Sequence, residues 1–208
     1  MKHLHNSRPL ALANAVTTCL LIALAGCSSG DKPADSSAAA VAANIPAPST
    51  DSLKRVQGMP STSRDPDHDF LRMMADHHKG LIELAHMTKD RKEGGVAVAD
   101  ARKLDAKQDV ELDKMMTMLE KDFKDAYAPK VMAEHQAMAD ELKSKTGKEY
   151  DRTFLSDVIK HHGEALEMID AYLPKAKMPA VKAMAMQMKA DQAKEIGEMK
   201  SQLSKLGT

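Results

Sequence analysis

The chain has 208 residues, enough for one ordinary domain with a sizeable core and too few for a large multidomain enzyme. Its 30 basic and 30 acidic side chains balance, which leaves no cationic excess to neutralise a phosphate backbone and excludes nucleic acid as an expected partner. Tryptophan is absent, Phe and Tyr number three each, and Met reaches 16 among Ala, Lys, Leu and Glu, a composition that excludes an aromatic-rich β-sandwich and predicts an all-α protein.

The first segment reads as an address. Lys2 and Arg8 flank the start of an apolar stretch, Leu10 to Ala25, that is too short to span a bilayer and has the form of a secretory signal. It ends in Leu24-Ala25-Gly26-Cys27, which resembles a bacterial lipobox, so residues 1–26 are expected to be removed and Cys27 lipidated. An ordinary signal with a chance cysteine is the alternative. Ser28 after the cysteine resembles a Gram-negative outer-membrane sorting signal, which gives the expected location: the cell envelope, anchored to the outer membrane and facing the periplasm. Cys19 falls within the removed segment, so no disulfide or thiolate site is expected. Residues 27–65 are rich in Ser, Ala, Pro, Gly and Asp and read as a flexible tether.

The rest, 66–206, repeats itself. At an offset of 84, Asp67, Phe70, Leu71, His77, His78 and Glu83 fall on Asp151, Phe154, Leu155, His161, His162 and Glu167. Gln108, Glu111, Leu112, Met115 and Leu119 fall on Gln192, Glu195, Ile196, Met199 and Leu203 without a gap. Two tandem helical hairpins, about 67–122 and 151–206, follow. In the first, Asp65 and Pro66 predict an N-cap and first helical position, and Gly94-Gly95 separate helices near 66–90 and 96–123. A connector helix is predicted over about 129–146, closed by Gly147. In the second hairpin Asp151 is the expected cap of a helix reaching about Leu173, and Pro174 and Pro179 bracket the turn into a last helix. Four main helices and a connector make a four-helix bundle, with the direction of the second hairpin left open by the long connector.

Spacings of three and four place His77 in the apolar seam of its helix with Phe70, Met74, Leu81, Leu84 and Thr88. His161 takes the same place among Phe154, Val158, Ala165, Met168 and Tyr172, and His78 and His162 lie beside the seams. Gln108 and Gln192 interrupt the seams of the partner helices. Counting back from the turns puts His77, His78, Met74, Gln108 and Glu111 at one level, and His161, His162, Gln192 and Glu195 at another.

Buried polar groups are costly unless paired, so these layers need a reason. A structural hydrogen-bond layer is one. Metal binding is the other, and it is favoured because imidazole is the commonest protein metal ligand and an adjacent pair occurs twice. Thioethers of Met74, Met115, Met168 and Met199 line the same core, which favours Cu(I), with Cu(II) or Ag(I) as alternatives. Met132, His135 and Met138 on the connector form a candidate peripheral Cu(I) site or a half-buried stripe.

The strings from Asp67 to His78 and from Tyr150 to His162 resemble the CopM-like family, the domain of unknown function numbered 305. The likeness extends over about Asp67 to Leu203. It implies a ferritin-like four-helix bundle in a secreted or periplasmic setting, and copper or silver binding through His and Met in copper tolerance. Met74, His77 and His78 match in the first copy, and His161, His162, Ala165 and Met168 in the second. Val158 stands in place of Met74 and Leu84 in place of Met168, so the copies either pool ligands in one site or one is degenerate.

Two other readings carry different functions. Glu83-Leu84-Ala85-His86 has the Glu-x-x-His spacing of a di-iron oxidase, although Asp170 stands at the second copy's His86 position. A tethered bundle without metal, meeting envelope partners through its charged faces, is the third. No nucleophile with a base and no glycine-rich phosphate loop is visible in the sequence, and the expectation is a binding protein, not an enzyme.

Overall fold

The computed structural model describes residues 63–93 and 95–207; the expected signal segment 1–26, Cys27 and the expected tether as far as residue 62 lie outside the described residues. Five α-helices follow in order: α1 (Pro66–Lys89), α2 (Val96–Phe123), α3 (Ala133–Lys143), α4 (Gly147–Tyr172) and α5 (Pro179–Lys205), with a 3-10 turn at Leu173–Lys175 before the last. No strand occurs among the described residues, and the chain is all-α.

Helix α1 starts as its sequence dictates. The Asp65 side chain accepts from the N–H groups of Asp67 and His68 at 2.9 and 3.4 Å, and Pro66 needs no partner at the first helical position. Helix α4 departs from expectation. It begins at Gly147, with Thr146 at the cap position, so Asp151 lies inside the helix and does not cap it. Instead Asp151 Oδ1 accepts from the N–H of Ala97 at 3.1 Å, at the start of α2. Gly95, which has no side chain to cap that helix, makes room: a Cβ there would overlap the Asp151 carboxylate. Asp67 does the same for α5. Its carboxylate accepts from the N–H groups of Lys177 and Met178 at 3.2 and 3.0 Å and from the Tyr172 hydroxyl. Each carboxylate thus serves an N-terminus of the other hairpin, where unpaired N–H groups and the helix dipole favour negative charge.

The apolar core is in two parts. Leu81, Leu84, Ala97, Ala101, Phe154 and Val158 belong to one, and Phe70, Leu119, Ile169, Tyr172 and Val181 to the other. Helices α1 and α5 run from the second cluster towards the first, and α2 and α4 run the opposite way. The chain between α2 and α4 therefore travels back along the bundle and reverses the second hairpin, which sets α1 antiparallel to α4. On that return, α3 packs on α1 and α4 and contributes Ala139 and Leu142 to the first cluster. It is shorter than the predicted connector at both ends. The histidines belong to neither cluster, and α3 lies over the α1–α4 seam that holds two of them.

Candidate metal centre

His77 from α1 and His161 from α4 meet across the antiparallel seam with ring centroids 3.7 Å apart. His135 from α3 closes the group, 5.1 Å from the His77 ring and 4.7 Å from that of His161. One donor nitrogen from each of the three lies within 4.8 Å of the others, and all three rings are at most 3% exposed. The approach of α3 rests on Gly80: a Cβ at that position would overlap the His135 ring.

Burial sets the protonation of this group. Loss of water holds His77 well below its ordinary 6.5, with the neighbouring His78 and His162 adding to the effect. His161 is lowered well below the same value, first by burial and then by His77, His135 and His162. Both rings are neutral at pH 7, the form that coordinates a metal. His161 Nε2 donates to the main-chain oxygen of His77 at 2.9 Å, so its proton sits on Nε2 and Nδ1 keeps its lone pair. Neither nitrogen of His77 has a hydrogen-bond partner, and its Nε2 lies 3.9 Å from Glu164 Oε2.

The second histidine of each pair is engaged elsewhere. His78 Nδ1 donates to the main-chain oxygen of Met74 and its Nε2 lies on Glu111 Oε2, both at 3.0 Å. Both nitrogens of that ring therefore have protein partners. His162 Nε2 is 3.1 Å from Glu195 Oε2, and Glu195 in turn accepts from Lys107 at 2.7 Å. The His162 and Lys107 partners outweigh burial and draw the Glu195 carboxyl below its ordinary range. Gln108 buries both amide atoms, and Gln192 its amide oxygen, without hydrogen-bond partners.

The four methionines expected as ligands are buried. Met74, Met115 and Met168 belong to one apolar cluster and Met199 to the other. Glu83 and His86 face outward: Glu83 pairs with Lys79 at 2.7 Å and His86 with Asp105 at 2.6 Å. The residue that sequence reading misplaced is His135. Expected in a peripheral site or a half-buried stripe, it is 3% exposed on the inner face of the connector helix, with Met138 at 8%. A sequence signal existed in Gly80, since a glycine inside a helical pattern, one turn after His77, marks a close approach.

The fold and this centre define an all-α bundle with buried imidazoles from three helices. The profile of the family described as Domain of unknown function (DUF305) matches residues 29–119 and 67–203, and the chain belongs to that family. Among solved structures, CopM in the Cu(II)-bound form is 26% identical, with a TM-score of 0.57 over 67% of this chain and 96% of that one. CopM in the Cu(I)-bound form is 25% identical, with a TM-score of 0.58 over 68% of this chain and 98% of that one. The DUF305 protein from Streptomyces coelicolor shares the fold at a TM-score of 0.62 and 20% identity, over 69% of this chain and 94% of its own. No curated protein matches.

Proposed function

We propose that the protein binds copper at His77, His135 and His161 and serves copper tolerance or trafficking in the bacterial envelope. The observation that carries this is the convergence of three buried imidazoles from three helices, with donors within 4.8 Å of one another. A purely structural layer would pair its nitrogens, as His78 does with Met74 and Glu111, whereas His77 leaves both without a hydrogen bond. The donor chemistry fits the metal. Neutral imidazole suits copper, and the resemblance to CopM in its Cu(I)-bound and Cu(II)-bound forms supports the same ion here. Imidazole accepts Cu(I), Cu(II) and Ag(I), so all three are within the range of the site. His78 with Glu111, and His162 with Glu195, hold the rings in register around the centre.

The N-terminal signal with Cys27 supports lipid anchoring at the envelope. The role is binding, not catalysis. The test is metal analysis of the mature chain after loading with Cu(I), Ag(I), Cu(II) and Zn(II). Wild type takes up copper with a rise in Tm, and His77→Leu with His161→Leu abolishes both. Unchanged copper uptake in that double variant overturns the assignment.

A further inference from the structure

The three imidazoles are closed off from solvent, so an ion must reach them past other groups. On α3, Glu134 and Glu141 are seven residues apart; on the antiparallel α4, so are Asp157 and Glu164. The two pairs meet at two levels of the α3–α4 contact. Donor atoms of Glu134, His135 and Glu164 lie within 4.8 Å of one another at one level, and Glu141 acts on Asp157 at the other. Burial and the Glu141 charge push the Asp157 carboxyl up to about 6. The Lys160 charge pulls the other way.

An acidic cluster alone would be no site. Here a second observation points inward: the buried His77 ring, without a hydrogen bond on either nitrogen, aims Nε2 at Glu164 Oε2 from 3.9 Å. Glu164 thus touches the imidazole centre on one side, and its own side chain is 14% exposed on the other. His135 belongs to both donor groups, the inner one with His77 and His161 and the outer one with Glu134 and Glu164.

We infer that Glu134, His135 and Glu164 form an entry port that captures a hydrated divalent copper ion and passes it, through His135, to the inner imidazoles. Carboxylates suit Cu(II), whereas the inner all-imidazole group also suits the softer Cu(I) and Ag(I). Ligands are exchanged one at a time, with no change of oxidation state. Glu141 and Asp157 extend the field along the α3–α4 contact and draw cations towards the port.

This inference rests on copper binding at the inner imidazoles, and its test separates the two. Loading of the mature chain is followed by stopped flow with Cu(II) and with Ag(I), in wild type, Glu134→Gln with Glu164→Gln, and Glu141→Gln with Asp157→Asn. The first pair is expected to slow Cu(II) loading by about tenfold or more while leaving final stoichiometry unchanged. Coulombic attraction scales with the charge of the ion, so Ag(I) loading should slow by only about the square root of that factor, roughly threefold. The second pair, which leaves the port donors in place, is expected to slow both ions modestly and to lose that effect at high salt. An unchanged Cu(II) rate in the first pair, with normal loading of wild type, overturns the port and leaves the inner site standing. Copper uptake that survives His77→Leu with His161→Leu overturns the inner site and the port with it.

Discussion

His161 donates from Nε2 to the main-chain oxygen of His77 at 2.9 Å, a bond between positions one repeat length apart. It ties α4 to α1 at the centre of the bundle and fixes the tautomer of the ring that makes it, leaving Nδ1 for a metal. The geometry of the site therefore depends on backbone position as much as on side chains, and so does its sensitivity to substitution.

Gly80→Ala tests that dependence without removing a donor. The new methyl group would occupy space held by the His135 ring, so α3 must shift. The expected cost is about 1–3 kcal/mol of stability. Copper affinity should fall by about tenfold or more, since a displacement near 1 Å is enough to spoil a ligand set. Gly163→Ala, where a Cβ meets nothing within 4 Å, is the control and should stabilise α4 by about 0.5–1 kcal/mol. Equal copper affinities in the two variants would show that α3 contributes nothing.

The apo-protein should lose stability in mild acid. His77 and His161 are held well below 6.5 in the folded state, so just below pH 6.5 the unfolded chain binds more protons. Their contribution is fully present above about pH 6.5 and is lost as pH falls below it, by up to about 1.4 kcal/mol per pH unit for each ring. Asp157, raised to about 6, works in the opposite sense below that pH, so the informative quantity is a difference. Urea unfolding between pH 7.5 and 5 should give a shallower acid slope in His77→Leu with His161→Leu than in wild type. Parallel slopes would mean that the rings titrate normally.

The two aspartates that serve opposite hairpins should differ in worth. Asp67 is fully buried and accepts from Tyr172, Lys177 and Met178, whereas Asp151 accepts from Ala97. Bonds to a charged acceptor are the stronger kind, so Asp67→Asn should cost at least about 2 kcal/mol and Asp151→Asn about 1 kcal/mol. Denaturant midpoints measure both, and a larger loss at Asp151 would contradict the ranking.

Gln108→Met should stabilise the apo-protein. The native side chain buries an amide with neither atom hydrogen-bonded, a burden of about 1–3 kcal/mol that an apolar chain of similar length removes. Thermal unfolding of the metal-free protein gives the answer, and a fall in Tm would show that the amide is satisfied by water in solution.

Sequence alone determined the all-α class, the positions of α1, α2 and α5, and the burial of all four paired histidines, because these follow from spacings within one helix. An apolar seam of period three to four fixes which face is buried whatever it packs against. The His78–Glu111 level was also legible, because a short turn fixes the register of a hairpin. What the sequence left open was the direction of the second hairpin, and only tertiary packing decided it. Reversal by the long connector sets α1 antiparallel to α4, and that brings His77 onto His161. The role of Asp151 was hidden for the same reason: a carboxylate before a helical pattern reads as a local cap, while its partner, Ala97, lies on another helix. His135 shows the limit most plainly. Its helix reads as a peripheral site or a half-buried stripe, and His135 becomes fully buried because α3 settles over the α1–α4 seam at Gly80. Faces are a property of one segment, whereas contacts between segments far apart in the chain are chosen by the packing of the whole molecule.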